Sequence, residues 1–258
     1  MADKLSSFSQ IILLPCELTF THIKKIDRVN KKIFQLTVWG TIYHLLFFLR
    51  RNLFSAKEKA RFLKGKLIDF GCGNKPYENL FLVDEYIGAD MKVSDHNYRD
   101  SKIDVFYGGE TLPFSDDEFD ATLSNETFEH LPSPERIAQE LHRVLKPGGK
   151  LLLTVPFVWP EHGMPYDFCR FTAIGIEKVL TNSGFKVIDI KRSGTFGEVI
   201  VQIIICATLR NIVKLSKFPH RFFALLVAVP LNIVGYLLTR VLARNKDIYL
   251  NTVIMVEK

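Results

Sequence analysis

The 258 residues suffice for one α/β domain, or for a domain with an appendage. With 47% hydrophobic and 24% charged residues the composition excludes disorder. A formal net charge of +6 suits an acidic partner, and the basic residues scattered around apolar runs such as "FFLRRNLF" and "KLSKFPHRFF" favour anionic lipid over nucleic acid.

Residues 1–64 begin with "MADKLSSFSQIILLPCELTF", which resembles a signal peptide only superficially. Its apolar core is short, is broken by Pro15 and Glu17, and lacks a small-residue cleavage site. The segment is expected to stay in the mature protein as helical material, continuing through "KKIFQLTVWGTIYHLLFFLRRN". From residue 65 to 192, short β-like runs alternate with helical ones, the pattern of a parallel sheet. The strand candidates are "KLIDF", "EYIGAD", "KIDVFY", "FDATLS", "KLLLTV" and "FKVIDI". Mostly apolar runs like these are expected of strands covered on both faces. A helix is predicted after Ser133 as N-cap and Pro134 at the first helical position, ending at "KPGGK". A second is predicted from about Ala173, with Thr172 as cap, to Gly184. Cys16, Cys72, Cys169 and Cys206 form no C-x-x-C pair, which argues against zinc and a disulfide framework and fits a reducing compartment. No convincing metal set appears, nor any basic recognition helix or aromatic-interleaved RNA motif.

The first strand leads into a glycine turn, "LIDFGCGNKPY". Gly71 and Gly73 fit the start of a dinucleotide fingerprint, but Pro76 occupies the third glycine position. A proline there adds bulk and removes one N–H where a helix terminus should face the pyrophosphate. The phosphate loop G-x-x-x-x-G-K-[ST] is absent too, so a phosphate ligand is disfavoured. A phosphate-free adenosine ligand still requires a close glycine backbone and a carboxylate for its ribose, and Asp90 ends the next strand. S-adenosylmethionine has these features.

The run "LPFSDDEFDATLSNETFEHLPSPERIAQELHRVLKPGGKLLLTVPF", with "LIDFGCGNKPY" and "YIGAD", closely resembles the class I S-adenosylmethionine-dependent methyltransferase family. The later "MPYDFCRFT" with its helix and "GFKV" looks like bacterial members that modify glycan or lipid precursors. The resemblance covers roughly residues 65–192. It implies a Rossmann-like, seven-stranded, mostly parallel sheet of order 3-2-1-4-5-7-6 with strand 7 antiparallel. It further implies that Asp69, Gly71, Cys72 and Gly73 flank the methionine part, that Asp90 and Met91 serve the ribose side, and that Asn125 and Glu126 lie beside the sulfonium. "YGGETLPF" should approach adenine; many relatives have Asp where Gly108 stands, and Glu110 or a backbone group is the substitute. On this reading residues 65–258 form the methyltransferase domain, with an apolar helical insertion at about 197–246 before a last strand in "IYLNTVIMVEK".

Methyl transfer from a sulfonium is an in-line displacement that rests on alignment. For a hydroxyl acceptor a base takes the proton, and His130 and His162, on loops after strands 4 and 5, are the catalytic candidates. Either also reads as a loop histidine holding local structure. Glu129, Tyr166, Asp167 and Arg170 are the expected acceptor-binding residues, Arg170 through a substrate carboxylate or phosphate. Glu129 as a turn cap and an Arg170–Asp167 ion pair are the plain structural alternatives.

The insertion holds "VIVQIIICATL" and "FFALLVAVPLNIVGYLLT". A single span would strand the last β-segment across the bilayer, and a hairpin would carry basic residues across. Helices lying in the interface satisfy both constraints, with a buried cap or a homodimer interface as alternatives. The expectation is a methyltransferase for a small or lipid-linked acceptor, cytoplasmic and peripheral to the inner membrane face. The alternatives are a non-catalytic membrane module of the same fold and a nicotinamide-dependent oxidoreductase.

Overall fold

The computed structural model describes residues 59–92, 101–109, 111–162, 164–215 and 230–258, save 232, 236 and 243. The helical segment expected over residues 1–64 lies outside the described residues except for 59–64. The chain divides into two compact units.

One unit, residues 51–158, 168–193 and 250–258, holds the sheet. Its strands are β1 (Lys66–Phe70), β2 (Glu85–Met91), β3 (Val105–Tyr107), β4 (Phe119–Asn125), β5 (Leu145–Pro156), β6 (Lys186–Ser193) and β7 (Asn251–Glu257). They form one seven-stranded sheet of order β3-β2-β1-β4-β5-β7-β6, and β7 alone runs antiparallel to its neighbours β5 and β6. This is the sheet expected from the family resemblance. "KIDVFY" contributes only its last three residues, because β3 is an edge with β2 as its single partner. "KLLLTV" is longer than expected: β5 starts at Leu145, directly at the helix end, and runs through the Pro-Gly-Gly stretch with a register shift against β4. The glycines therefore sit in an irregular strand beginning and not in a helix-terminating loop.

Alternation along the strands sends Ile68 and Phe70 to one face, against helices α1 (Pro134–Val144) and α2 (Ala173–Asn182). Ile137, Leu141, Val144, Ile176 and Leu180 meet Leu151, Leu153 and Val155 there. Each such side chain contributes about 1.5–3 kcal/mol by leaving water. Leu67, Ala121, Leu123, Leu152 and Val253 point to the other face, under Ala60, Leu63, Tyr77 and Phe81. Thr172 caps α2 as expected, accepting the Gly175 N–H at 3.0 Å. Ser133 occupies the N-cap of α1, but its hydroxyl makes no capping bond, and Pro134 alone marks the start.

The second unit includes residues 159–167 and the described parts of 194–249. Helix α3 (Phe196–Leu215) opens with a capping box: Glu198 Oε2 accepts the Thr195 N–H at 2.8 Å, and Thr195 Oγ1 accepts the Glu198 N–H at 3.4 Å. Helical residues within 230–238 pack on α3, where a Cβ at Gly235 would overlap Val201.

Candidate active site

The carboxyl ends of β1, β2 and β4 converge on the glycine turn, the place where open α/β sheets bind ligands. Gly71 and Gly73 have φ of 74° and 49°, left-handed values that glycine adopts without cost. Gly71 and Cys72 donate to the Ala89 carbonyl at 2.8 and 3.3 Å, pinning the turn to β2. A Cβ at Gly71 would overlap the Thr127 side chain, so the backbone there approaches the β4 loop closely. Asp90 receives the Gly73 N–H on Oδ2 at 2.9 Å and the Met91 N–H on Oδ1 at 2.7 Å. Asp69 is buried and accepts the Tyr86 hydroxyl at 2.7 Å; burial pushes its carboxyl up to about 7, against the lowering effect of that bond. Cys72 is buried and its thiol is pushed well above the ordinary range, by burial first and by Asp69 and Asp90 second, so it fills space and is not a nucleophile. Among the described residues, a Cβ built at Gly108 meets nothing within 4 Å, which leaves open space beside it. Glu110, the expected substitute near adenine, lies outside the described residues.

A second polar cluster lies at the same sheet edge beyond β4. Asn125 Nδ2 donates to the Tyr77 hydroxyl at 3.2 Å, and Thr154 Oγ1 lies 2.7 Å from Asn125 Oδ1 and 2.8 Å from Glu126 Oε1. Glu126 has φ of 52°. Its N–H is fixed on Thr154, 3.0 Å from the carbonyl and 3.2 Å from Oγ1. Asn251 Nδ2, from β7, reaches both carboxylate oxygens at 2.9 and 2.8 Å. Burial raises the Glu126 carboxyl to about 7, opposed by Thr154, Asn251 and the positive charge of Arg170. The expected sulfonium neighbour thus reaches across β5 towards β7, while Asn125 faces Tyr77 of the glycine-turn segment. A left-handed glutamate costs about 1–3 kcal/mol and persists only where its surroundings impose it, most often at functional sites.

His130 and Glu129 share a short 3-10 turn, Phe128–His130, with His130 Nε2 3.7 Å from the wholly buried Glu129 carboxylate. The Glu129 carbonyl accepts the Phe168 and Cys169 N–H groups at 2.8 and 3.2 Å. That pair of bonds ties the turn to the segment carrying Arg170, whose Nη1 donates to the Cys169 carbonyl at 2.7 Å. Asp69, Gly71, Gly73, Asp90, Asn125, Glu126, Glu129, His130 and Arg170 all belong to the sheet unit. His162, Tyr166 and Asp167 belong to the other one. There Asp167 accepts the His162 N–H at 2.9 Å, and Tyr166 is exposed.

Residues that the motifs did not single out hold both clusters: Tyr86, Lys75 and Asp104 on one side, Thr154 and Asn251 on the other. Asn251 carried a readable signal, a lone amide opening a strand whose middle, Val253–Val256, is apolar, since a buried polar group needs a partner.

Residues 68–153 match the family described as "Methyltransferase domain". An uncharacterized protein of Methanocaldococcus jannaschii is 33% identical over 97 residues, 36% of this chain and 45% of that protein. An uncharacterized methyltransferase of Mycobacterium tuberculosis is 45% identical over 63 residues, 22% of this chain and 25% of that protein. The chain thus spans less than half the length of these curated relatives. Among solved structures, the [4+2]-cyclase SpnF has a TM-score of 0.50 at 20% identity, covering 83% of each chain, a likeness of fold alone. Residues 68–153 are thus similar to the methyltransferase-domain family, and this sheet order and this glycine turn agree with the class I S-adenosylmethionine-dependent fold.

The cofactor of that family fits the residues present: left-handed glycines closing on β2, Asp90 beside them, and space open at Gly108.

Proposed function

We propose that the protein transfers a methyl group from S-adenosylmethionine to an oxygen of an amphipathic, lipid-linked or glycan-type acceptor at a membrane surface. The observation that carries the reading is the glycine turn pinned on Ala89, with Asp90 holding the Gly73 N–H, at the carboxyl edge of the sheet. The cofactor supplies an electrophilic methyl group. Asp69 and the turn face its amino-acid part, Asp90 and Met91 its ribose, and Asn125 lies towards the sulfonium. His130 takes the acceptor's proton, with His162 as the second candidate, and Arg170 attracts an anionic group of the acceptor. A known fold does not choose a reaction, as the cyclase of related fold illustrates.

Titration calorimetry with S-adenosylhomocysteine, with NADH as comparison, tests the reading. Micromolar binding of the first alone is expected, and Gly73→Arg should abolish it in a folded protein. Binding of NADH instead would place the protein among oxidoreductases; binding of neither would leave the non-catalytic module.

The membrane part of the proposal draws on the second unit. Ile200, Ile203 and Ile204 on α3, and Ile233, Val234, Leu237, Leu238 and Val241 after it, are exposed, with Arg240, Arg244 and Lys246 close by in sequence. Among the described residues no helix is long and apolar enough to cross a membrane. Apolar faces flanked by basic residues suit helices lying in an anionic interface, and this supports the reading of a protein peripheral to the inner face of the membrane. The protein should float with phosphatidylglycerol vesicles, and the double variant Ile203→Glu/Leu237→Glu should lose most of that flotation. Flotation unchanged by the variant would refute this contact face, and a concentration-dependent dimer without flotation would assign the face to a second copy.

A further inference from the structure

Under the glycine turn lies a buried lysine. Lys75 is 8% exposed and has φ of 50°, a conformation that a lysine adopts only where its surroundings impose it. Its backbone belongs to the turn: the Lys75 N–H donates to the Cys72 carbonyl at 2.8 Å, and its own carbonyl accepts from Glu78 at 3.3 Å. Its Nζ pairs with Asp104, whose Oδ2 also accepts the Gly88 N–H at 2.7 Å, and it reaches the Tyr86 carbonyl at 3.4 Å. Gly88 leaves room for the stem, since a Cβ there would lie 2.5 Å from Lys75 Cε and 2.7 Å from Cys72 Sγ. The same ammonium sits 5.5 Å from the centre of the Tyr86 ring, and the Tyr86 hydroxyl donates to Asp69. One side chain therefore joins the turn, the middle of β2, the residue before β3, and the partner of the buried carboxylate.

We propose that Lys75 is a positioning residue for cofactor binding: clamped by Asp104, it holds the glycine turn against β2 and favours the charged Asp69 carboxylate that meets the cofactor's α-ammonium. The proposal rests on the methyltransferase reading. The groups acting on Asp69 are the Tyr86 hydroxyl, the Asp90 and Glu78 carboxylates and Lys75, and Lys75 is the cation among them. Burial, Asp90 and Glu78 favour the uncharged acid; Tyr86 and Lys75 favour the carboxylate. Because the balance lies at about 7, affinity for a ligand bearing an ammonium group rises as pH increases through neutrality. Removing Lys75 moves that rise to higher pH.

The test uses S-adenosylhomocysteine calorimetry from pH 6 to 8.5 on the full chain and on Lys75→Met, Lys75→Arg and Asp104→Asn. It is joined by hydrogen exchange at the Gly71–Gly73 amides without ligand. In Lys75→Met the affinity curve should move up by about one pH unit, an affinity loss of about fivefold at pH 7. The three turn amides should exchange faster than those of β4 and β5. Lys75→Arg should restore the pH position, and Asp104→Asn should loosen the turn amides. A curve that weakens without moving along the pH axis, or turn amides no faster than the rest, would overturn the proposal. Should Lys75→Met fail to fold, Asp104→Asn decides through its turn amides. Failure of the unaltered protein to bind S-adenosylhomocysteine would instead refute the methyltransferase reading.

Discussion

The two halves of the sheet edge are built by different means. On the β1–β2 side, backbone conformation does the positioning: two left-handed glycines fold the turn onto Ala89, and Asp90 fastens it from the next strand. On the β4–β5–β7 side, side chains do it: Thr154 and Asn251 hold a left-handed glutamate whose conformation no glycine relieves. A site made from backbone tolerates few substitutions at its glycines and many around them. A site made from buried side chains instead depends on charge balance, and its weak points lie on strands distant in sequence.

The largest blow to the first half is Gly71→Ala, which combines a left-handed φ with overlap on Thr127. We expect at least a hundredfold loss of S-adenosylhomocysteine affinity and a stability loss of about 2–3 kcal/mol, read by calorimetry and by urea unfolding. Wild-type affinity would show that the turn does not bind the cofactor.

The corresponding blow to the second half is Asn251→Leu. It removes the amide that solvates both Glu126 oxygens, and leaving a buried carboxylate without that donor costs about 2–3 kcal/mol. Urea unfolding at pH 8 should show the full loss and at pH 5 a smaller one, because a protonated Glu126 needs less compensation. Equal losses at the two pH values would count against a charged Glu126.

A pH titration of stability sharpens the comparison further. Asp69 and Glu126 both have folded values raised to about 7 by burial. Their stabilising contribution is complete below the unfolded carboxyl range and disappears as pH rises through 7. We expect stability to fall between pH 5 and 8 by roughly 5 kcal/mol if both carboxyls titrate, and Glu126→Gln to remove about half of that slope. Glu118, Asp120, Glu140 and Asp189 work the other way: their ion-paired or hydrogen-bonded carboxyls are lowered, and their contribution is lost in acid. A profile flat from pH 5 to 8 would mean that neither buried carboxyl is ionised by folding-linked titration.

The smallest effect is expected at Cys72. Its buried, raised thiol should resist maleimide at pH 7.5 under conditions where the partly exposed Cys169 reacts, and Cys72→Ala should change S-adenosylhomocysteine affinity by less than about threefold. Rapid labelling of Cys72 would show the turn opening from β2.

The same contrast explains what could be read from the chain. "LIDFGCGNKPY" and "YIGAD" are local patterns, so the turn, its glycines and Asp90 are legible in the sequence, whereas the order of the strands follows only from the family resemblance. Lys75 and Asp104 were not, because they are joined only when β3 lies beside β2. The direction of the Glu126 carboxylate was hidden for the same reason, being set by pairings with Thr154 and Asn251 far along the chain. The start of β5 was misjudged because Pro147, Gly148 and Gly149 signal a break, whereas the register shift against β4 absorbs them.

The placement of β7 has a kinetic consequence. Strands β1 to β5 can pair with one another in the order they are made, but β6 has no neighbour until β7 slides between it and β5. The 57 residues from 194 to 250 separate the two, and closing so long a loop precedes any gain from pairing. Until then two open strand edges and the apolar helices are exposed together, a state prone to misassociation. The bond network at Glu126 is completed by that same late strand, so this part of the sheet edge should mature last, after the glycine turn has formed.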